Sequence, residues 1–258
     1  MGSKMSDSES KNIQAIERAL DVLLLFLEKK RELGVSEISH SLGYYKSTVH
    51  RILSTLSSRG FIYKNPITNK YWLGVKNFSL GMLYQDKFVL KDVAYPYLKK
   101  LSEDVNETVN LAILDEIDDP EVIVVEKIQT EHMLTISPPV GSRTPAHCSG
   151  VGKVLLAYSD EGVLEQLKQK PLEEFTSNTI ADFKELYRIL EEVREKGYAI
   201  DYEEIEIGLS CLATPIFDQE GHAVAAVSVS GPVNRIYNRF PEIIKQLKLT
   251  SAQISKFL

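Results

Sequence analysis

The chain is poor in cysteine, and the two it has are badly spaced for a staple or a metal ribbon. Cys148 and Cys211 stand alone among 258 residues, with no CxxC pair, a usage that fits a reduced compartment better than a disulfide scaffold. No staple is needed, since a chain of this length buries roughly 70 to 75% of its unfolded surface. Long hydrophobic runs are lacking too. Val22 to Leu27 is too short for a membrane span and has charged neighbours, and no secretory leader is legible, so the expected location is the cytoplasm. The first ten residues are expected to be disordered. Acidic residues are scarce in one region: Leu33 to Leu80 contains six basic residues and a single acid, Glu37. The overall charge of −6 argues against a nucleic-acid partner, but its distribution reverses that argument. Residues 1 to 87 carry 13 Lys and Arg against 8 Asp and Glu, a net of +5, leaving −11 for residues 88 to 258. Such asymmetry predicts a basic DNA-binding module joined to an acidic domain with another task.

Within the basic part, Val35 to Gly60 reads as two short helices joined by a tight turn. Ser36 is a candidate cap for the first, over about Glu37 to Leu42, and Gly43 can adopt the left-handed conformation that ends it. The second helix starts near Lys46 and places Val49, Ile52, Leu53 and Leu56 on one apolar face before Gly60. Its other face carries Lys46, Ser47, His50, Arg51, Ser54 and Ser58, all hydrogen-bond donors and none acidic. This pattern matches a helix-turn-helix whose second helix enters the major groove. Two β-prone runs follow, Phe61 to Tyr63 and Tyr71 to Leu73, around a tip flanked by Lys64 and Lys70. They predict a wing hairpin whose lysines meet phosphates. The candidate DNA contacts are therefore Tyr45, Lys46, Ser47, Thr48, His50 and Arg51, with Lys64 and Lys70 from the wing. Before this unit, Lys11 to Lys30 has Ile13, Ile16, Leu20, Leu23, Leu24 and Leu27 on one stripe, predicting a helix that packs that stripe under the helix-turn-helix.

Beyond the wing, Gly74 to Val89 reads as a linker helix through Val75, Phe78, Met82 and Val89, and any exposed apolar side of it is suited to joining subunits. A helix over Asp92 to Val105 precedes strand-like runs at Val109 to Leu114, Val122 to Ile128 and Met133 to Ile136. Pro145 to Lys153 leads into an apolar helix through Tyr158. Helices over Asp160 to Lys168 and Asp182 to Lys196 follow, then strands at Tyr198 to Tyr202, Leu209 to Phe217 and Ala223 to Ser230. A last helix runs from about Asn238 to Phe257. The fold class expected is α+β: residues 11–73 a winged helix-turn-helix domain, 74–90 a linker helix, and 91–258 a sheet covered by helices.

Four motifs in this order resemble those of the IclR family of bacterial transcriptional regulators, and together they span nearly the whole chain. They are the winged helix with Lys46 to Arg51 (KSTVHR), Pro145 to Lys153 (PAHCSGVGK), Asp201 to Asp218 (DYEEIEIGLSCLATPIFD) and Ser228 to Pro232 (SVSGP). The resemblance implies a homodimer or homotetramer on a palindromic operator, with a GAF/PAS-like mixed α/β domain that binds a small effector and alters operator occupancy. It also implies an effector pocket made by Gly150, Val151, Asp201, Leu209, Cys211, Ser228 and Ser230, faced by Met133 and Ile136. The function expected is repression of a catabolic operon, modulated by a small carboxylate such as a sugar acid, keto acid or aromatic acid. Tyr44-Tyr45 stands where many members have Leu-Pro, a departure that bears on which operator is read.

The residues themselves agree. Leu209 with Cys211, and Ser228 with Ser230, are two apart on strands and so share a face, and amides at a helix start near Gly150 attract a carboxylate. Glu203, Glu204 and Glu206 read as a solvated face. The run Ser149 to Lys153 lacks the glycine and hydroxyl residues that a Walker loop requires at positions 147 and 154, which are His and Val. The competing class is an enzyme or metal-binding protein that uses His147, Cys148, Cys211 and His222. Their spacing matches no strong metal signature, so neither a cofactor nor a metal is expected, nor catalysis.

Overall fold

A computed structural model describes residues 13–86, 89–117, 119–130 and 138–258. The chain forms two compact units that divide between residues 88 and 89. The stretch expected to be disordered, 1–10, and the strand expected at Met133 to Ile136 lie outside the described residues.

In the first unit, α1 (Gln14–Lys29), α2 (Val35–Leu42) and α3 (Lys46–Ser58) surround a small core, and β1 (Ile62–Lys64) pairs antiparallel with β2 (Tyr71–Leu73). Val22, Leu25 and Phe26 of α1 meet Ile38, Val49, Leu53 and Ile62 in that core, and Phe26 sits edge-on to Trp72 at 5.8 Å. This corrects the expected face of α1. Of the predicted stripe, Ile13, Ile16, Leu20, Leu24 and Leu27 are exposed and Leu23 alone packs against the core, because the helix is apolar on two sides and the one carrying the aromatic ring fills the core. Ser36 is not the cap of α2 either. Gly34 holds that position, and the Glu37 carboxylate reaches back to accept its N–H at 2.7 Å. Gly43 ends α2 in the left-handed region as predicted. Helix α4 (Val75–Asp86) follows, with Val75, Phe78 and Met82 all exposed.

The second unit opens with α5 (Val89–Val105) and is built on a six-stranded antiparallel sheet. Its strands are β3 (Thr108–Asp115), β4 (Glu121–Ile128), β5 (Arg143–Pro145), β6 (Ala199–Tyr202), β7 (Leu209–Phe217) and β8 (Ala223–Pro232), in the spatial order β5-β4-β3-β8-β7-β6. Between β5 and β6 come a 3-10 turn (Ala146–Cys148), α6 (Gly150–Ala157), α7 (Glu161–Lys168) and α8 (Phe183–Lys196). After β8 comes a short helix that was not expected, α9 (Val233–Asn238), and then α10 (Phe240–Ser255), the last helix expected from about Asn238. Pro241 stands in the first turn of α10, where a missing N–H costs no intrahelical bond.

The sheet divides its side chains by size. One face carries Ala112, Ala199, Cys211, Ala213 and Ala226 against α6, which packs on α8. Opposite register positions place Ser228 beside Ala213, and Ser230 beside Cys211, on that same face. The other face presents the alternate residues of β7 to α10, where the Thr214 hydroxyl meets the Leu247 carbonyl. Small side chains on the α6 face leave room where large ones would close it.

Candidate functional site

Two places in the structure bring functional chemistry together. The first is α3. Its apolar face, Val49 and Leu53, is buried, so the opposite face must point outward. Lys46, Ser47, His50 and Arg51 are exposed and Thr48 is half-buried. Tyr45, at the N-cap, is 85% exposed. Its neighbour Tyr44 turns inward: its hydroxyl donates to the Asp21 carboxylate and the Arg18 guanidinium lies 5.2 Å over its ring. The Ser39 hydroxyl donates to the Tyr44 carbonyl at 2.6 Å, which fixes the turn. Tyr44 thus ties α1 to the turn and leaves Tyr45 free to meet a ligand. In the wing, Asn65 accepts from the amides of Ile67 and Thr68, and its own amide donates to Glu32, as does the Thr68 hydroxyl. Lys64 is exposed, whereas Lys70 lies 3.6 Å from the Glu37 carboxylate. Hydrogen bonds from Gly34 and Arg31, with Lys70 nearby, hold Glu37 down to about 2, so at neutral pH it neutralises part of Lys70's charge.

The second place is the small-residue face of the sheet. Antiparallel register aligns Thr108, Ser230, Cys211 and Asp201 in one row, and Asn110, Ser228, Ala213 and Ala199 in the next. All of these polar residues are buried. The Asn110 amide donates to Ser230 at 3.1 Å and Ser228 at 3.4 Å. Ser228 also lies in hydrogen-bonding reach of the Cys211 thiol. The N-terminus of α6 closes on this row. Ser149 caps it by accepting the Gly152 amide at 3.0 Å, and a methyl group on Gly150 would come within 3.2 Å of the Cys211 carbonyl and 3.4 Å of the Asp201 amide. Gly152 has even less room, since a Cβ there would lie 2.0 Å from the Ala146 carbonyl oxygen.

Asp201 is the titratable centre. Burial pushes its carboxyl up to about 7, with the charge of Glu204 acting the same way. The Glu204 amide, which donates to Oδ1 at 2.9 Å, and Lys153 pull it down. Glu204 itself is a correction to the sequence reading. It is 3% exposed rather than solvated, and its Oε1 pairs with the equally buried Lys153. That pairing also removes Lys153 from any phosphate-binding role.

Of the residues expected here, Gly150, Asp201, Cys211, Ser228 and Ser230 converge. Val151 is buried in α6 and Leu209 is half-buried at the start of β7, while Met133 and Ile136 lie outside the described residues. Asn110 and Thr108 were missed; the signal was a polar pair within an otherwise apolar strand run. The alternative cluster does not assemble. His222 is exposed on the β7–β8 turn between Asp218 and Glu220, and His147 is buried with its Nε2 2.9 Å from the Glu173 carbonyl. Burial holds both thiols at about 12, far from a reactive thiolate. Among the described residues no group of three or more His, Cys, Asp or Glu is placed to hold a metal ion, and no helix is long and apolar enough to cross a membrane.

Residues 15–66 match a family model described as the IclR helix-turn-helix domain, and residues 82–256 one described as the bacterial transcriptional regulator IclR C-terminal domain. The transcriptional repressor IclR of Escherichia coli K12 is 35% identical over 225 residues, covering 87% of this chain and 82% of its own. The crystal structure of an IclR transcriptional regulator from Alicyclobacillus acidocaldarius superposes with a TM-score of 0.81 at 29% identity, covering 95% of this chain and 98% of that one. An IclR homologue from Microbacterium hydrocarbonoxydans, solved in complex with 4-hydroxybenzoate, gives 0.78 at 26% identity, with 94% and 98% covered. These relatives are regulators of transcription, not enzymes.

Proposed function

The chain belongs to the IclR family of bacterial transcriptional regulators, and from that premise we propose that it represses a catabolic operon in the cytoplasm until a small carboxylate metabolite occupies its second domain. We assign residues 11–73 to DNA binding, 74–90 to a linker helix and 91–258 to effector binding. The observation that carries the effector assignment is the pair of adjoining buried rows that hold Asp201, Cys211 and Ser230, and Ser228 and Asn110, under the first amides of α6. Those amides and the helix dipole receive the carboxylate. The hydroxyls and Asn110 receive a hydroxyl or keto group beside it, and Leu209 and Val151 offer apolar contact. The bound 4-hydroxybenzoate of the Microbacterium homologue supports a small acid as ligand.

On the DNA side, Lys46, Ser47, Thr48, His50 and Arg51 reach base edges and phosphates, Tyr45 stands at the groove mouth, and Lys64 and Lys70 meet the backbone from the wing. Two or four copies act together on a palindromic site. The exposed Ile13, Ile16, Leu20 and Leu24 of α1, and Val75, Phe78 and Leu83 of α4, form the kind of apolar surface a second copy covers.

The test is titration of the protein into a labelled duplex from the region upstream of its own gene, against a shuffled duplex, with and without sugar, keto and aromatic acids. A preference of about 10³-fold or more that a carboxylate shifts is the expected result. Equal weak binding to both duplexes, unmoved by every acid, overturns it.

A further inference from the structure

The wing ends in a turn that is tied down at several points. Asn65 Oδ1 accepts the amides of Ile67 and Thr68, and the Asn65 backbone N–H donates to the Lys70 carbonyl at 2.8 Å. The Asn65 side-chain amide and the Thr68 hydroxyl both donate to the Glu32 carboxylate, each at 2.7 Å, which anchors the tip to the segment between α1 and α2. Pro66 fixes one more backbone angle beside them. What this turn presents is Ile67, 88% exposed and the most exposed large apolar side chain among the described residues.

A lone isoleucine on a loose loop calls for no explanation. Here a hydrogen-bond network holds one in water, between Lys64 and Lys70 and in the same unit as the donor face of α3. The minor groove of DNA, about 6 Å wide, admits a loop tip but not a helix, and the phosphates along its two borders suit the two lysines. On its floor A·T pairs expose acceptors alone, whereas G·C adds the protruding guanine amino group. Isoleucine has no acceptor for that donor, so it packs on A·T pairs and leaves the guanine amino group buried without a partner.

We propose that Ile67 is a specificity-determining residue: it enters the minor groove beside the half-site that α3 reads in the major groove, and selects A·T pairs there by apolar contact. The proposal rests on the DNA-binding reading of the first unit.

The test compares duplexes selected from a random-sequence pool by the full chain, by Ile67→Ala and by Lys64→Ala, with affinities for the selected site measured by fluorescence anisotropy. The expected result is a palindrome with A·T pairs flanking each half-site. Replacing a flanking A·T with G·C lowers affinity by about tenfold, and inosine·cytosine, which lacks the minor-groove amino group, restores it. Ile67→Ala selects the same half-sites but reduces the flanking difference to about twofold or less. Its melting temperature is unchanged, since the truncated side chain is exposed. Lys64→Ala weakens all duplexes alike and keeps the difference. A flanking preference that is absent from the unaltered chain, or that survives in Ile67→Ala, overturns the proposal and leaves the DNA reading in place. So does an inosine pair that behaves as G·C. Enrichment of no palindrome by the unaltered chain removes the DNA reading, and the proposal with it.

Discussion

At the scale of single residues, Asp201 makes the clearest claim. Its folded pKa of about 7 lies above the ordinary 3.8 because burial penalises the charged form. A raised carboxyl contributes stability that is fully present below pH 3.8 and is lost as pH rises through about 7. The same sign governs a carboxylate ligand beside it, because the ionised aspartate repels the ligand and the protonated one does not. Affinity for such a ligand, measured by calorimetry, is expected to rise as pH falls from about 8 to about 6 and to stay flat in Asp201→Asn. An unchanged slope in that variant removes Asp201 from the site. Gly152 makes a steric claim. With a Cβ 2.0 Å from the Ala146 carbonyl oxygen, Gly152→Ala forces the start of α6 away from the 3-10 turn and is expected to cost about 3 kcal/mol, read as a lowered urea midpoint. The pattern Gly-x-Gly-Lys was visible in the sequence, but only part of its meaning was. The sequence excluded a phosphate loop and placed Gly150 at the effector pocket, but it did not show that Gly152 admits close backbone approach or that the lysine is spent on Glu204.

Among the elements, α3 was the most legible, because a helix with one apolar and one acid-free polar face leaves a single orientation open. Arg51→Ala is expected to weaken operator binding by about tenfold and to lower the salt slope of log affinity by about one unit. Titrations between 50 and 200 mM salt measure both, and an unchanged slope places Arg51 away from phosphate. Lys70→Ala is expected to do less than Lys64→Ala in the same titrations, since Glu37 already occupies Lys70. Helix α1 was legible as a helix but not in its orientation. Both of its sides are apolar, and periodicity alone cannot rank Val22, Leu25 and Phe26 against Ile16, Leu20 and Leu24. The packing of Phe26 perpendicular to the Trp72 ring, within the core of Ile38, Val49, Leu53 and Ile62, decides it. Helix α10 was legible from about Asn238, whereas the six-residue α9 was missed, because so short a segment shows no helical period.

For the whole molecule, the charge division between a basic first unit and an acidic second one already separated DNA contact from another task. The apolar stripe that α1 leaves outside and the exposed apolar side chains of α4 are the surface assigned above to the subunit contact. The double variant Leu24→Glu and Phe78→Glu is expected to lower the assembly state seen by analytical ultracentrifugation and to weaken operator binding, with far-ultraviolet dichroism unchanged; an unaltered sedimentation coefficient rejects that face as the subunit contact. The sequence by itself determined the class of fold, the helix-turn-helix and its outward donors, and five of the six described strands of the second unit, β5 being the one missed, because periodicity, capping and charge act over a few neighbouring residues. Only the tertiary structure decided which face of α1 is inside, that Asn110 and Thr108 join Asp201, Cys211, Ser228 and Ser230 in adjoining rows, and that Glu204 is buried against Lys153. Strand register sets those rows, and burial depends on what the rest of the chain places opposite. Neither is encoded in the spacing of residues along one segment.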